Sequence, residues 1–304
     1  MPNTLAHLGV QALVTRSLLP RAELRWIALG CVIPDLPWIA QRAVRALCRD
    51  IDPYDLRLYA IAQASLLVSL LACAAFASLA RELRRVFAVL GSNALLHLLL
   101  DAAQTKWANG VHLFAPLSWE LWNAGLFWPE SPATYALTAL GVAVFVWLPR
   151  GARPGSPRRP STRASALAAG FGIAYLLLPL LLLRGPEAAD NHSVRTLRDT
   201  AARRGREVAF DRAPLVRGEH GDEIVTLSGE RIALVGADVP AGERVSLRGT
   251  FVDAGTISVA AQHTHVGWRR DLATYAGLAL VAALWIRRRV PADASSPPTH
   301  SREP

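Results

Sequence analysis

The chain is poor in several residue types. Its 304 residues include three cysteines, one methionine and a single lysine, Lys106, among 33 basic residues. Cys31, Cys48 and Cys73 share no C-x-x-C spacing, which argues against a disulfide framework and excludes a cysteine-rich zinc site. The first residues carry no basic segment and His7 interrupts the first apolar stretch, so no cleavable signal peptide is predicted. The arginine-rich usage is typical of a GC-rich bacterial genome.

Charge is also scarce, and its scarcity points to a membrane. Only 19% of the residues are charged, 52% are hydrophobic and the mean hydropathy is +0.24. Several uncharged runs approach the length of about 20 residues that crosses a bilayer. We therefore predict a mainly α, multi-pass helical membrane protein. The predicted spans are 58–80, 86–101, 134–148, 164–183 and 272–286.

The net charge of +9 is gathered in short clusters beside these runs. Arginines crowd 81–85, 150–163 and 287–289, after the first, third and fifth spans. Such clusters are positive-inside anchors rather than nucleic-acid patches, so we expect a lipid bilayer and no nucleic acid as partner. The rule predicts the bacterial inner membrane as the location, with these clusters cytoplasmic.

Composition divides the chain into six segments. The segment 185–271 is polar, with short strand-like pieces separated by turn signals, and predicts a small soluble all-β insert, possibly OB-like, of unknown protein partner. Proline, glycine and serine predict a flexible linker and a disordered tail. The predicted units are a membrane-embedded domain (1–148), the linker (149–163), a span (164–184), the insert (185–271), a span (272–287) and the tail (288–304).

Three local interpretations concern the surface of the membrane. Arginines and prolines interrupt the apolar segments 4–19 and 24–40, which predicts helices lying in the interface. Tryptophan favours the same interface, so the four tryptophans of the loop 102–133 are predicted to anchor it there. His263 and His265 alternate on one strand face, and we interpret them as a solvated edge rather than a metal site.

The motif with most chemical content is His97-x3-Asp101. The spacing places both side chains on one face of an apolar helix, where an ionisable pair must be paired, wet or metal-bound. His112 follows in a loop bracketed by Gly110 and Pro116, from which it could fold over the helix end. Two interpretations stay open: a hydrogen bond that ties loop to helix, and a metal site, since imidazole and carboxylate suit zinc, manganese or iron.

The predicted orientation of the spans in the membrane bears on the choice between a hydrogen bond and a metal site. With the arginine clusters inside, Asp101 lies at the outer end of the second span, and the loop carrying His112 is outside together with the β insert. The segment 1–57, which contains His7 and Asp35, is outside or inserted from outside. All the candidate ligands are thereby expected on one face of the membrane.

Residues 1–148 resemble the YdjM-like family of membrane-bound metal-dependent hydrolases of bacterial inner membranes. The matching features are the early His7, the turn Pro34-Asp35, the helix with His97 and Asp101, and the loop 110–116. Two family features are missing. The family has a second acid after its Pro-Asp turn, and this chain has Pro37 at that position. The family also has a His-Arg…His-Ser motif, and the corresponding segment 55–65 contains no histidine.

The resemblance implies a hydrolase with one divalent ion, zinc by expectation, held by His7, Asp35, His97, Asp101 and His112. Asp55 or Glu120 could serve as general base, although a helix N-cap and a solvated loop residue are the plainer roles. A site at the outer membrane surface suggests lipid-linked or envelope phosphoesters. The rival hypotheses are a degenerate scaffold or binding protein without metal, and a proton-coupled transporter that uses His97 and Asp101 as a relay.

Overall fold

A computed structural model describes residues 3–48, 50–147, 160–218, 221–240, 243–265 and 268–286. Most of the predicted linker 149–163 and the whole predicted tail 288–304 lie outside these residues. Helices make up both ends of the described chain, and the five strands are consecutive between them. The helices are α1 (Thr4–Leu18), α2 (Leu24–Val32), α3 (Leu36–Leu47), α4 (Pro53–Gln63), α5 (Leu66–Ser78), α6 (Leu83–Ala102), α7 (Pro132–Trp147), α8 (Thr162–Leu182), α9 (Arg184–Ala189), α10 (Val194–Arg198) and α11 (Trp268–Ile286).

Helix α1 is the centre of the helical part, packed against α2, α6, α7 and α11. Small residues permit this packing: a Cβ added to Gly9 would lie 1.9 Å from the Cα of Gly141 on α7. Leu8 and Ala12 are completely buried. Most of α1 is thus buried among other helices, while Leu13 and Leu18 stay exposed. That residues 4–19 lie in the interface or dip into the membrane stays a prediction.

Among the described residues, fewer helices are candidates for crossing a membrane than the five spans predicted. Within the described residues, α6 and the stretch Thr162–Ala189 are long and apolar enough to cross a membrane, and the pair α4 and α5 passes only if counted as one span bent by 69°. The run 58–80 is thus two helices, with Ser65 as the N-cap of the second. Helix α7 has only 16 residues, and α11 carries three charges in its first four positions.

The predicted all-β insert is a closed five-stranded barrel in the order β1-β2-β3-β5-β4. Strands β3 and β5 are parallel and all other pairs are antiparallel. Alternating apolar residues of the strands fill the interior, and Tyr54 and Leu58 of α4 belong to the same buried cluster. The barrel therefore shares its core with the helical part. The strands are β1 (Glu207–Gly218), β2 (Gly221–Val225), β3 (Arg231–Val235), β4 (Arg244–Phe251) and β5 (Thr256–His265).

The loop between α6 and α7 is held between the helices and the barrel. Trp107 packs edge-on against Trp128 with ring centroids 5.1 Å apart, and Trp128 stacks on His263 of β5 at 3.7 Å. His265 is 1% exposed. His265 is therefore buried and not part of a solvated edge, whereas the side chain of His263 is 28% exposed. The interfacial role of the tryptophans stays a prediction.

Candidate metal centre

Four of the five predicted ligands come together in one buried group, which we call the His/Asp centre: His7, Asp35, His97 and Asp101. His7 Nε2 lies 3.2 Å from Asp101 Oδ1, and His97 Nε2 lies 3.5 Å from Asp35 Oδ1 and 3.9 Å from Asp101 Oδ2. The two imidazole rings are stacked, with centroids 4.1 Å apart. Ligand atoms of His7, His97 and Asp101 lie within 4.8 Å of one another, whereas Asp35 joins the centre through its contact with His97.

The register of α1 against α6 places His7 opposite Asp101. The helices are antiparallel, and Thr15 Oγ1 on α1 donates to Asn93 Oδ1 on α6 at 3.1 Å. Two turns separate Thr15 from His7, and two turns separate Asn93 from Asp101, so the same alignment satisfies both pairs. Since Thr15 and Asn93 are buried, this hydrogen bond fixes the position of α1 along the axis of α6.

Asp35 reaches the His/Asp centre from a short 3-10 turn, Ile33–Asp35, between α2 and α3. Helix α2 approaches α6 closely at Gly30, where an added Cβ would lie 2.7 Å from the carbonyl oxygen of Leu90. Cys31, which is fully buried, lies beside His97. A side chain at position 30 would push the turn and its carboxylate away from His97.

Lys106 completes the surroundings of Asp101. Its side chain is 3% exposed, and its Nζ lies 3.2 Å from Asp101 Oδ2. The backbone positions it, since Asn123 donates to the Lys106 carbonyl at 2.7 Å and the loop doubles back along the end of α6. Nothing in the sequence pattern assigned Lys106 to the site; its only signal was that it is the sole lysine.

The donor atoms of the His/Asp centre fit a divalent cation. Ligands about 2.0–2.1 Å from a tetrahedral zinc ion are roughly 3.3 Å apart, close to the separations of 3.2, 3.5 and 3.9 Å found here. The amide atoms of Gln11, four residues after His7, and of Gln104, three residues after Asp101, are buried without a hydrogen-bond partner among the described residues. Buried polar atoms of this kind favour an ordered water or a hydrated cation nearby.

His112, the fifth predicted ligand, lies in a different buried pair. Its Nε2 is 3.2 Å from Nε2 of His192, and its ring meets Trp119 edge-on. Burial lowers the pKa of His112 to about 4, and burial followed by the charge of Arg57 holds the pKa of His192 well below its ordinary value. Two neutral imidazoles can share one hydrogen bond, which accounts for the pair and ties the loop to the segment before the barrel.

The two predicted general bases lie at the surface. Asp55 forms an ion pair with Arg198 at 2.5 Å, and its side chain is 60% exposed. Glu120 is exposed in the loop. Neither carboxylate forms a hydrogen bond or ion pair with the His/Asp centre in the described part of the chain. Glu120 agrees with its plainer role as a solvated loop residue, but the N-cap of α4 is Asp52, and Asp55 lies in the first turn of the helix. The assignment of a base stays a prediction.

A second cluster of histidines and acids joins the loop to the barrel. Glu130 Oε1 lies 3.0 Å from Nδ1 of His265, His263 lies 3.8 Å from Glu130 Oε2, and Arg212 pairs with Glu130. Ser246 Oγ is 2.7 Å from Nε2 of His265, but the hydroxyl is fully buried and accepts the backbone N–H of Arg212. Glu130, His263 and His265 are also close enough to hold a metal ion. Because their contacts join the loop residue Glu130 to β1 and β5, we interpret this cluster as a docking network.

The comparisons with known proteins add no assignment. Searches with protein-family models, of curated proteins and of solved structures found no match to the chain. The resemblance to the YdjM-like hydrolases therefore stays an expectation, carried by the motifs alone.

Proposed function

We propose that this protein is a membrane-associated, metal-dependent hydrolase with its reaction centre at His7, Asp35, His97 and Asp101. The observation that carries the proposal is that ligand atoms of His7, His97 and Asp101, up to 94 positions apart, lie within 4.8 Å of one another, with Asp35 3.5 Å from His97. We propose zinc because two imidazoles with carboxylates match its preferences.

The chain's own residues have defined tasks in this proposal. His7 and His97 hold the cation through Nε2, and Asp35 and Asp101 neutralise it and complete its shell. Lys106, which also faces Asp101, keeps that carboxylate ionised and oriented. The cation supplies Lewis acidity: it lowers the pKa of water and polarises a phosphoryl or acyl oxygen. The predicted outer position of the centre supports lipid-linked or envelope phosphoesters as substrates.

Elemental analysis of detergent-purified protein tests the proposal. We expect about one equivalent of a transition metal in the wild type and a loss of most of it in the double variant His97→Ala/Asp101→Asn, because two ligands are removed. His263→Ala is the matched control, since that histidine lies outside the centre, and it should retain the metal. Full metal content in the double variant would refute the proposed centre.

One observation favours a second candidate, a non-catalytic binding protein. Lys106 already contributes an ammonium to Asp101 without any metal, and the sequence lacks the second acid and the His-Arg…His-Ser motif of the family it resembles. In this alternative the centre only links α1, α6 and the turn with Asp35. A wild-type protein without stoichiometric metal, and with an unchanged melting temperature after chelation, would favour the binding protein over the hydrolase.

A further inference from the structure

A polar cavity adjoins the His/Asp centre, on the side of Lys106. It has a volume of about 380 Å³ and lies between the loop that follows α6 and the barrel. Lys106 is part of its wall, and its Nζ contacts Asp101, so the same residue connects the cavity with the centre. The volume is in the range of cavities that hold small molecules. We call this space the Lys106 cavity.

The lining also includes an arginine with unused donors. Arg248 of β4 is exposed, and its guanidinium carbon lies 4.9 Å from the centroid of the Trp107 ring. Its side chain forms no hydrogen bond or ion pair with any described residue. The ring of Trp107 in turn packs edge-on against Trp128. A guanidinium held flat on an aromatic ring keeps its N–H fork available and pre-oriented for an oxyanion.

The remaining polar lining does not oppose an anion. Asn109, Asn123 and Asn191 face the cavity with Lys106 and Arg248, and none of its lining residues is acidic. A neighbouring cavity of about 420 Å³ shares Arg248 but includes Asp190 and Glu207. The cavity lined by Lys106 therefore differs from its neighbour in having no acidic residue in its lining.

We propose that the Lys106 cavity binds a phosphate-type oxyanion, held between the Lys106 ammonium and the Arg248 guanidinium. The inference rests on the proposed function in one respect: it identifies the phosphate as the group that brings the substrate to the His/Asp centre. Arginine provides the fork that matches two phosphate oxygens, and lysine provides a compact charge beside Asp101. Lysine at position 106, in a chain that otherwise uses arginine, fits a place where a guanidinium is too large.

Binding of inorganic phosphate to the full-length, chelator-treated protein in detergent tests the inference without involving the metal. Isothermal titration should detect phosphate binding to the wild type. Arg248→Gln and Lys106→Met should each weaken it about tenfold or more, because each removes a charge-assisted donor. Arg231→Gln is the matched control: it removes an exposed barrel arginine outside the cavity and should change nothing. Lys106→Arg tests the size argument, and it should fold and bind more weakly than the wild type.

Two competition experiments distinguish a lipid headgroup from a soluble ester as the source of the phosphate. Nanodiscs of phosphatidylcholine with phosphatidylglycerol should displace the bound phosphate if an anionic headgroup enters the cavity, whereas glycerol phosphate alone should compete if the source is a soluble ester. Either result supports the oxyanion site. Absence of phosphate binding by the wild type, or equal binding by the Arg248 and Lys106 variants, overturns it. Phosphate binding by a protein that never holds metal would refute the proposed hydrolase and leave this inference standing.

Discussion

Removal of the charge of Glu130 should weaken the attachment of the barrel to the loop. Burial raises the pKa of Glu130, but the hydrogen bond from His265 and the charges of His265 and Arg212 outweigh burial and lower that pKa to about 2. The carboxylate is therefore stabilised in the folded state, relative to an ordinary value of 4.5. The difference corresponds to roughly 3 kcal/mol between the two protonation states. Solvent screening at its exposed edge reduces the expected contribution to about 2 kcal/mol.

The sign of the pH dependence follows from the lowered pKa. A carboxyl group whose folded pKa is depressed contributes its full stability above the unfolded value, here near pH 4.5, and loses it as the pH falls towards 2. We expect Glu130→Gln to reduce the free energy of unfolding by about 2 kcal/mol at pH 7. The variant should also lack the part of the acid-induced loss that falls between pH 4.5 and pH 2.

Urea unfolding in detergent, followed by tryptophan fluorescence, measures this effect because Trp128 stacks on His263 beside Glu130. Glu120→Gln is the matched control, since Glu120 belongs to the same loop but is exposed, and its free energy should change by less than about 0.5 kcal/mol. A double-mutant cycle with Arg212→Gln should show a coupling of about 1–3 kcal/mol. Additive effects of the two substitutions would show that the ion pair does not carry the docking.

The remaining predictions concern helix packing and the histidine pair. Gly9→Ala should lower the melting temperature by several degrees, since its Cβ would meet the backbone of α7 at 1.9 Å, whereas Gly170→Ala, with no atom within 4 Å, should be neutral or stabilising. Thr15→Val should cost about 1–2 kcal/mol in chemical unfolding because the hydrogen bond to buried Asn93 is lost, and an unchanged stability would contradict the proposed register. His112 has a folded pKa of about 4. The neutral imidazole should therefore contribute roughly 3 kcal/mol to the free energy of unfolding above pH 6.5, and this contribution should be lost as the pH falls to 4. A His112→Gln protein whose stability has the wild-type pH dependence between pH 6.5 and 4 would refute that assignment.

Much of the local architecture was accessible from the sequence. Turn signals and alternating apolar residues delimited the β insert, which is a closed barrel. The spacing of His97 and Asp101 predicted their common helix face, and α6 spans both. These features depend on neighbours in the chain, where periodicity and turn chemistry act directly.

The less successful predictions concern long-range packing. Hydropathy treated 58–80 as one span, but the chain bends by 69° between α4 and α5, and the interruptions in residues 4–19 did not indicate that most of α1 is buried among other helices. Neither the bend nor the burial of α1 is visible in a local window, because each depends on which helices pack against the segment. Trp128 illustrates the same limit, since an interfacial anchor and a docking residue have the same side chain.

The sequence by itself indicated the β insert and the apolar helix that carries His97 and Asp101, and it marked His7, Asp35, His97 and Asp101 as candidates through short motifs. Only the tertiary structure decided that these four meet while His112 pairs with His192, and that Lys106 joins Asp101. The reason is physical: motif spacing specifies a side chain's position on its own helix, whereas the distance between helices depends on close contacts such as Gly9 on Gly141 and Gly30 on Leu90.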